Sequence, residues 1–99
     1  MIAYAQKVTT SSKTLTTSSQ VLLSENVTRR GWCVYAEGDS CYIKVSTTSA
    51  DAATSSSYTV MLLKNDYYEQ AGSYWNVTGI LTGLCATGTK TVRITEYFY

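Results

Sequence analysis

Residues 31–45 read GWCVYAEGDSCYIKV, and their pattern decides the fold class. Two runs, 32–37 and 41–46, alternate apolar with polar side chains on either side of a short link that includes Gly38 and Asp39, which predicts a β-hairpin. With Gly38 and Asp39 at the turn, Glu37 faces Ser40, Ala36 faces Cys41, Val34 faces Ile43 and Trp32 faces Val45. The pleat then places Trp32, Val34, Ala36, Cys41, Ile43 and Val45 on the core face, and Cys33, Tyr35, Tyr42 and Lys44 on the other. The two cysteines therefore point to opposite sides. A disulfide needs Cβ atoms ~4 Å apart and a metal needs both sulfurs on one side, so this register supplies neither. Cys85, in GLCATG, is expected to pack as a small apolar residue.

Composition extends the β assignment to the whole chain. Of 99 residues, 28 are Ser or Thr and nine are Tyr, Pro is absent, and strong helix formers are thin. Such residues suit a pleated, half-buried surface. At this length one domain is expected, burying roughly two-thirds of its unfolded surface. Formal net charge is +1, with basic residues scattered rather than blocked, which argues against a nucleic-acid surface. No apolar run approaches the ~20 residues of a membrane helix, and the polar start MIAYAQKVTTSSK lacks a signal-peptide core, so the chain is expected to stay in the cytoplasm or be assembled there.

Along the chain, residues 7–20 (KVTTSSKTLTTSSQ) nearly repeat themselves and read as an exposed or edge strand, or as an arm that orders on a neighbouring subunit. Val21–Leu23 form a short apolar strand before a polar bend. Residues 46–57 are small and polar throughout, a surface loop. YTVMLLKN reads as an apolar strand that can be buried on both faces, DYYEQAGSYWNVTG as an aromatic-rich connector, and ILTGLCA, TGTK and TVRITEYFY as a second hairpin. The expected fold is all-β: a single small antiparallel β-sandwich or barrel, jelly-roll-like, with about six to eight short strands over residues 1–99. Residues 1–20 form its Ser/Thr-rich N-terminal strand or arm.

Chemistry is sparsely marked. Without histidine the Ser-His-Asp and Cys-His arrangements are excluded, as is an imidazole metal site. Glu37, Asp39, Asp66 and Glu69 are the carboxylates from which a glycosidase pair would have to come, yet acids and bases in near balance describe an ordinary solvated surface. No catalytic residue, cofactor, metal or small-molecule substrate is expected. Trp75 with Tyr74, Tyr67 and Tyr68 offers either a sugar-stacking platform or core and interface packing. The run EYFY places Tyr97 and Tyr99 on one face and Phe98 on the other, so one sheet face cannot hide all three, and a subunit contact is expected there.

From residue 26 onward the layout resembles a family of small β-sandwich structural proteins of tailed bacteriophages. The residues that carry the resemblance are Asn26, Arg29 and Arg30 before the strand Trp32–Tyr35, the Gly38 turn, Cys41–Val45, LLKNDYYE at 62–69, VTGILTGLCATG at 77–88 and VRITE at 92–96. The chain departs from the pattern in its longer Ser-rich loop, in Lys64-Asn65-Asp66 where a Gly-containing turn is usual, and in its aromatic tail. The resemblance implies a non-enzymatic virion component. The leading expectation is a capsid decoration (cement) protein that binds the major capsid protein on the outer capsid surface, as a homo-oligomer with a trimer favoured over a dimer. Tyr97, Phe98, Tyr99, Tyr67 and Tyr68 are its expected subunit or capsid contacts. The alternative it leaves open is a tail or fibre accessory that binds a receptor or glycan through Trp75 and Tyr74.

Overall fold

The computed structural model describes residues 7–72 and 75–98, with Trp75 described in its backbone only. Eight strands follow one another: β1 (Lys7–Leu15), β2 (Gln20–Leu23), β3 (Arg29–Ala36), β4 (Cys41–Ser46), β5 (Val60–Leu62), β6 (Tyr67–Ala71), β7 (Ile80–Cys85) and β8 (Lys90–Phe98). A single helical turn, α1 (Trp75–Thr78), precedes β7. The strands form two four-stranded sheets in the orders β1-β8-β3-β6 and β2-β7-β4-β5, with every pairing antiparallel. Apart from β4 to β5, each connection carries the chain from one sheet to the other. That wiring is the jelly roll.

The core lies between the sheets. Trp32, Val34 and Ala36 of β3 and Val92 and Ile94 of β8 meet Cys41, Ile43, Leu62, Leu81 and Cys85 of the facing sheet, all buried. The alternation in residues 31–45 thus reads the inside correctly, and Cys33 and Tyr35 point away from it.

The hairpin itself does not form. β3 and β4 belong to different sheets, so Val34 is flanked by Ile94 and Tyr68, and Ile43 by Gly83 and Val60. Residues 37–40 turn a corner over the end of the sandwich: the Ala36 and Glu37 amides donate to Asp66 and Thr91, and Ser40 takes a positive φ of 57°. Alternation survives the error because both strands direct the same set of side chains into one shared core. Pleat is local to a strand, whereas the hydrogen-bond partner is not. The C-terminal hairpin is corrected in the same way, since β7 and β8 also lie in opposite sheets.

Two further expectations change. β5 has three residues, lies at a sheet edge and leaves Met61 37% exposed, so it is not buried on both faces. The aromatic connector contains β6 and α1. Gly83 is required by packing: a Cβ there would lie 2.9 Å from Leu22 Cδ1 and 3.1 Å from Ile43 Cδ1, the two side chains that fill its place in the core.

Candidate interaction surface

Arg29 opens β3 and is only 2% exposed. Burying a guanidinium is costly unless its donors are met. Here Nε donates to Glu96 Oε2 at 2.9 Å, Nη1 to the carbonyls of Val77 (3.0 Å) and Gly79 (3.1 Å), and Nη2 to the Ser24 carbonyl at 2.7 Å. One side chain thereby ties the β2–β3 bend, the α1–β7 link and β8 together. Asn26 completes the bend: its Oδ1 accepts from the Thr28 amide and hydroxyl, and its own amide donates to Thr78 O. Asn26, Arg29 and Glu96 are therefore occupied in holding the scaffold.

The outer faces of the two sheets differ. Across β2-β7-β4-β5, residues 47–59 fold back over the strands. The Ala53 amide donates to Thr82 Oγ1 at 2.9 Å, Ala53 is buried, and Lys44 Nζ reaches Asp51 Oδ1 at 2.6 Å and Ser57 Oγ at 2.9 Å. Across β1-β8-β3-β6 the strand registers set three rows: Ser12–Arg93–Tyr35–Tyr67, Thr10–Thr95–Cys33–Glu69 and Val8–Tyr97–Gly31–Ala71. Tyr35 donates its hydroxyl to Asn65 Oδ1 at 2.7 Å, and Arg93 pairs with Glu37. Tyr67 is 63% exposed and Val8 57%. The middle row is small from Thr10 to Cys33 and ends in the exposed Glu69. The Cys33 thiol is held above its ordinary pKa, first by burial and then by the Glu69 carboxylate, so it contributes surface rather than a thiolate.

The candidate contact residues fall in different places. Tyr97 lies on this outer face beside Gly31, where an added Cβ would come within 3.1 Å of its ring carbon Cδ2. Phe98 points the other way, half-buried, with Lys7 Nζ 5.7 Å from its ring centre. Tyr67 faces outward. Tyr68 faces inward, edge-on to Trp32 at 5.6 Å, and its hydroxyl accepts from Gln70 Nε2 at 2.7 Å. Gln70 Oε1 in turn accepts from Asn76 Nδ2 at 2.8 Å, while Trp32 Nε1 donates to Asn76 O at 3.0 Å. Tyr99, Tyr74 and residues 1–6 lie outside the described residues, as does the side chain of Trp75. Val8, in the expected N-terminal arm, also belongs to the exposed face, as does Tyr35, which was not in the sequence-based contact set. Alternation places Tyr35 outward, but only the β3–β6 pairing brings it beside Tyr67.

At the end of the sandwich where the β3–β4, β5–β6 and β7–β8 links meet, an open groove of about 360 Å³ is lined by Glu37, Asp39, Lys64, Thr89, Lys90 and Thr91. Its acids are engaged: Glu37 with Arg93, and Asp39 Oδ1 with the Lys64 amide at 2.8 Å. Asp66 accepts from the Leu63 amide, and Glu69 lies on the sheet face opposite Cys33. Of the four carboxylates considered from sequence, Glu37 and Asp39 share the groove, each with its own partner, whereas Asp66 and Glu69 do not line it.

The cysteine pairing that sequence reasoning missed is Cys41 with Cys85, directly opposite on β4 and β7 and both buried. The Cys85 amide donates away from β4, to Thr16 O, and the Ala86 amide donates to Ser40 O, so the Cys41–Cys85 rung is a non-hydrogen-bonded one, where side chains approach closest. Both are free thiols. Cys41 is raised from 9.0 to about 11, mainly by burial. Compared with known proteins, the chain matches no family model, no curated protein and no solved structure.

Proposed function

We propose that this chain is a non-enzymatic structural protein of a tailed-phage virion, a capsid decoration protein that docks on the outer surface of the capsid lattice and stabilises it. The observation that carries this reading is the inequality of the two sheet faces. One is crossed by the chain's own loop, which leaves Val21, Tyr58 and Met61 exposed around it, and the other presents Tyr35, Tyr67, Val8 and half-buried Tyr97 around an uncovered row of Thr10, Thr95 and Cys33 that ends in Glu69. Tyr residues that combine an apolar ring with a polar tip are enriched at protein interfaces. The resemblance in residues 26–96 supports the virion assignment, and the jelly-roll wiring is one that viral capsid domains use, which is a likeness of fold alone.

The mechanism is multivalent. Weak contacts made by several linked copies act together, because each bound copy raises the effective concentration of the next. Mass spectrometry of purified virions with copy counting tests the assignment. Hundreds of copies per particle support a lattice protein, a few dozen or fewer move it to a tail or vertex, and less than one copy per particle overturns the structural role. Tyr67→Ser, which removes the most exposed ring of the face, is expected to lower the copy number with little change in the melting temperature.

A further inference from the structure

The two sheets have four edges, and three are blunted. β2 has four residues and a register shift between Val21 and Leu23, β5 has three residues and β6 has five. β1 has nine residues, pairs with β8 from Lys7↔Phe98 to Leu15↔Lys90 without a shift, and has no proline. Long regular edges invite pairing with another strand, and natural proteins shorten, bulge or cover them when pairing is unwanted. Only Leu15 of its nine side chains is buried, so the core does little to hold this strand against exchange or extension.

The hydrogen-bonding direction of β1 follows from its neighbour. The Glu37 amide donates to Thr91 O, so the odd residues of β8 address β3 and the even ones address β1. Through the register, residues 7, 9, 11, 13 and 15 of β1 bond β8, and the amides and carbonyls of Val8, Thr10, Ser12 and Thr14 point to the other edge, which no strand among the described residues covers. Consistently, the Thr14 carbonyl accepts from Gln20 Nε2 at 2.5 Å.

We infer that this edge pairs with the β1 edge of a second copy, antiparallel about a two-fold axis at Ser11, to give one continuous eight-stranded sheet. The sequence is self-complementary in that register. Thr10 faces Ser12 of the second copy, Val8 faces Thr14, Lys7 faces Leu15 and Lys13 faces Thr9. Hydroxyl pairs of this kind stabilise cross-strand contacts, and no lysine opposes a lysine. Moving the axis to Thr10 would set Lys7 against Lys13 twice, and moving it to Ser12 would leave Lys7 and Val8 unpaired. The full register makes four hydrogen-bonded pairs, about eight backbone hydrogen bonds, two of which require Thr14 O to exchange its Gln20 partner. An isologous contact closes at two copies, so the unit is a dimer rather than the trimer favoured from sequence. Its two exposed faces join in one plane. The inference does not depend on capsid binding, because it concerns the isolated chain.

Sedimentation equilibrium from low micromolar to near-millimolar concentration tests it. The wild type is expected to fit a monomer–dimer equilibrium with a 10.9 kDa monomer. Ser12→Pro removes no bond to β8, because its amide faces the open edge, and proline is tolerated at such positions. It is expected to weaken dimerisation at least about tenfold. Ser11→Lys places two ammonium groups on the axis and is expected to do the same, which keeps the test valid if the proline variant fails to fold. Hydrogen exchange at Thr10 and Ser12 of the wild type is expected to slow as concentration rises. A wild type that stays monomeric throughout, a trimer, or a dimer indifferent to both substitutions would overturn the inference, as would concentration-independent exchange at these two amides.

Discussion

Replacing Arg29 with Met keeps a long apolar stem and removes every donor of the guanidinium. Four acceptors lose their partner: the Ser24, Val77 and Gly79 carbonyls and the Glu96 carboxylate, whose side chain is only 15% exposed. Removing one member of a buried ion pair costs about 3–5 kcal/mol, because the other is left uncompensated. For a domain of this size that corresponds to a fall in melting temperature of roughly 12–40 °C, taking about 4–8 °C per kcal/mol. Chemical denaturation followed by tryptophan fluorescence should show a lower midpoint with an unchanged slope. Arg29→Lys keeps one charge but cannot place donors at four separated acceptors, so an intermediate loss is expected. The double variant Arg29→Met with Glu96→Leu no longer strands a carboxylate and should be more stable than Arg29→Met alone, and the Glu96→Leu single variant completes the cycle that isolates the pair term. A loss below about 1 kcal/mol for Arg29→Met, or a double variant no better than the single one, would refute the idea that this side chain locks the loops.

Gly83→Ala should cost about 1–3 kcal/mol by overpacking, and adding Ile43→Val, which deletes the methyl 3.1 Å from the new Cβ, should recover part of it. Cys41 is raised from 9.0 to about 11 in the folded chain. Its protonated thiol therefore contributes stability that is intact below pH ~9 and lost as pH rises toward ~11. The pH dependence of the unfolding midpoint should be shallower in Cys41→Ala across that window, and identical slopes would contradict it. Ala53→Asp places a carboxylate where the loop seats against Thr82. Limited proteolysis should then cut within residues 47–59 faster than in the wild type, with the two sheets left intact.

The sequence pattern was most informative where the physics is local. Trp32, Val34, Ala36, Cys41 and Ile43 are inside because a strand turns alternate residues to opposite faces whatever its partner. Which strands become neighbours depends on corners such as 37–40, whose four residues suit a turn within a sheet as well as a step between sheets. β6 was hidden for a different reason. YYEQA at a sheet edge buries no residue fully and so shows no apolar alternation. Arg29 carries no sign of burial in its own type, because a buried arginine needs acceptors from three distant segments that no local pattern announces. The exposed face had the same limit: Tyr35 and Tyr67 are 32 positions apart in the chain and meet only through pairing.

The position of β8 sets an order of events in time. It lies between β1 and β3, so the earliest strand of its sheet has no neighbour until residues 90–98 have been synthesised. β1 must wait as an unpaired segment during translation, whereas β3 gains a partner as soon as β6 has emerged, and the Arg29 clasp cannot close before Glu96 arrives. Chains whose contacts join distant segments fold on the order of milliseconds to seconds, and stopped-flow refolding is expected to fall in that range. Until β8 inserts, the Ser- and Thr-rich composition of β1 keeps a waiting strand soluble. The polarity that leaves this strand weakly anchored in the finished fold thus protects the chain while it is being made.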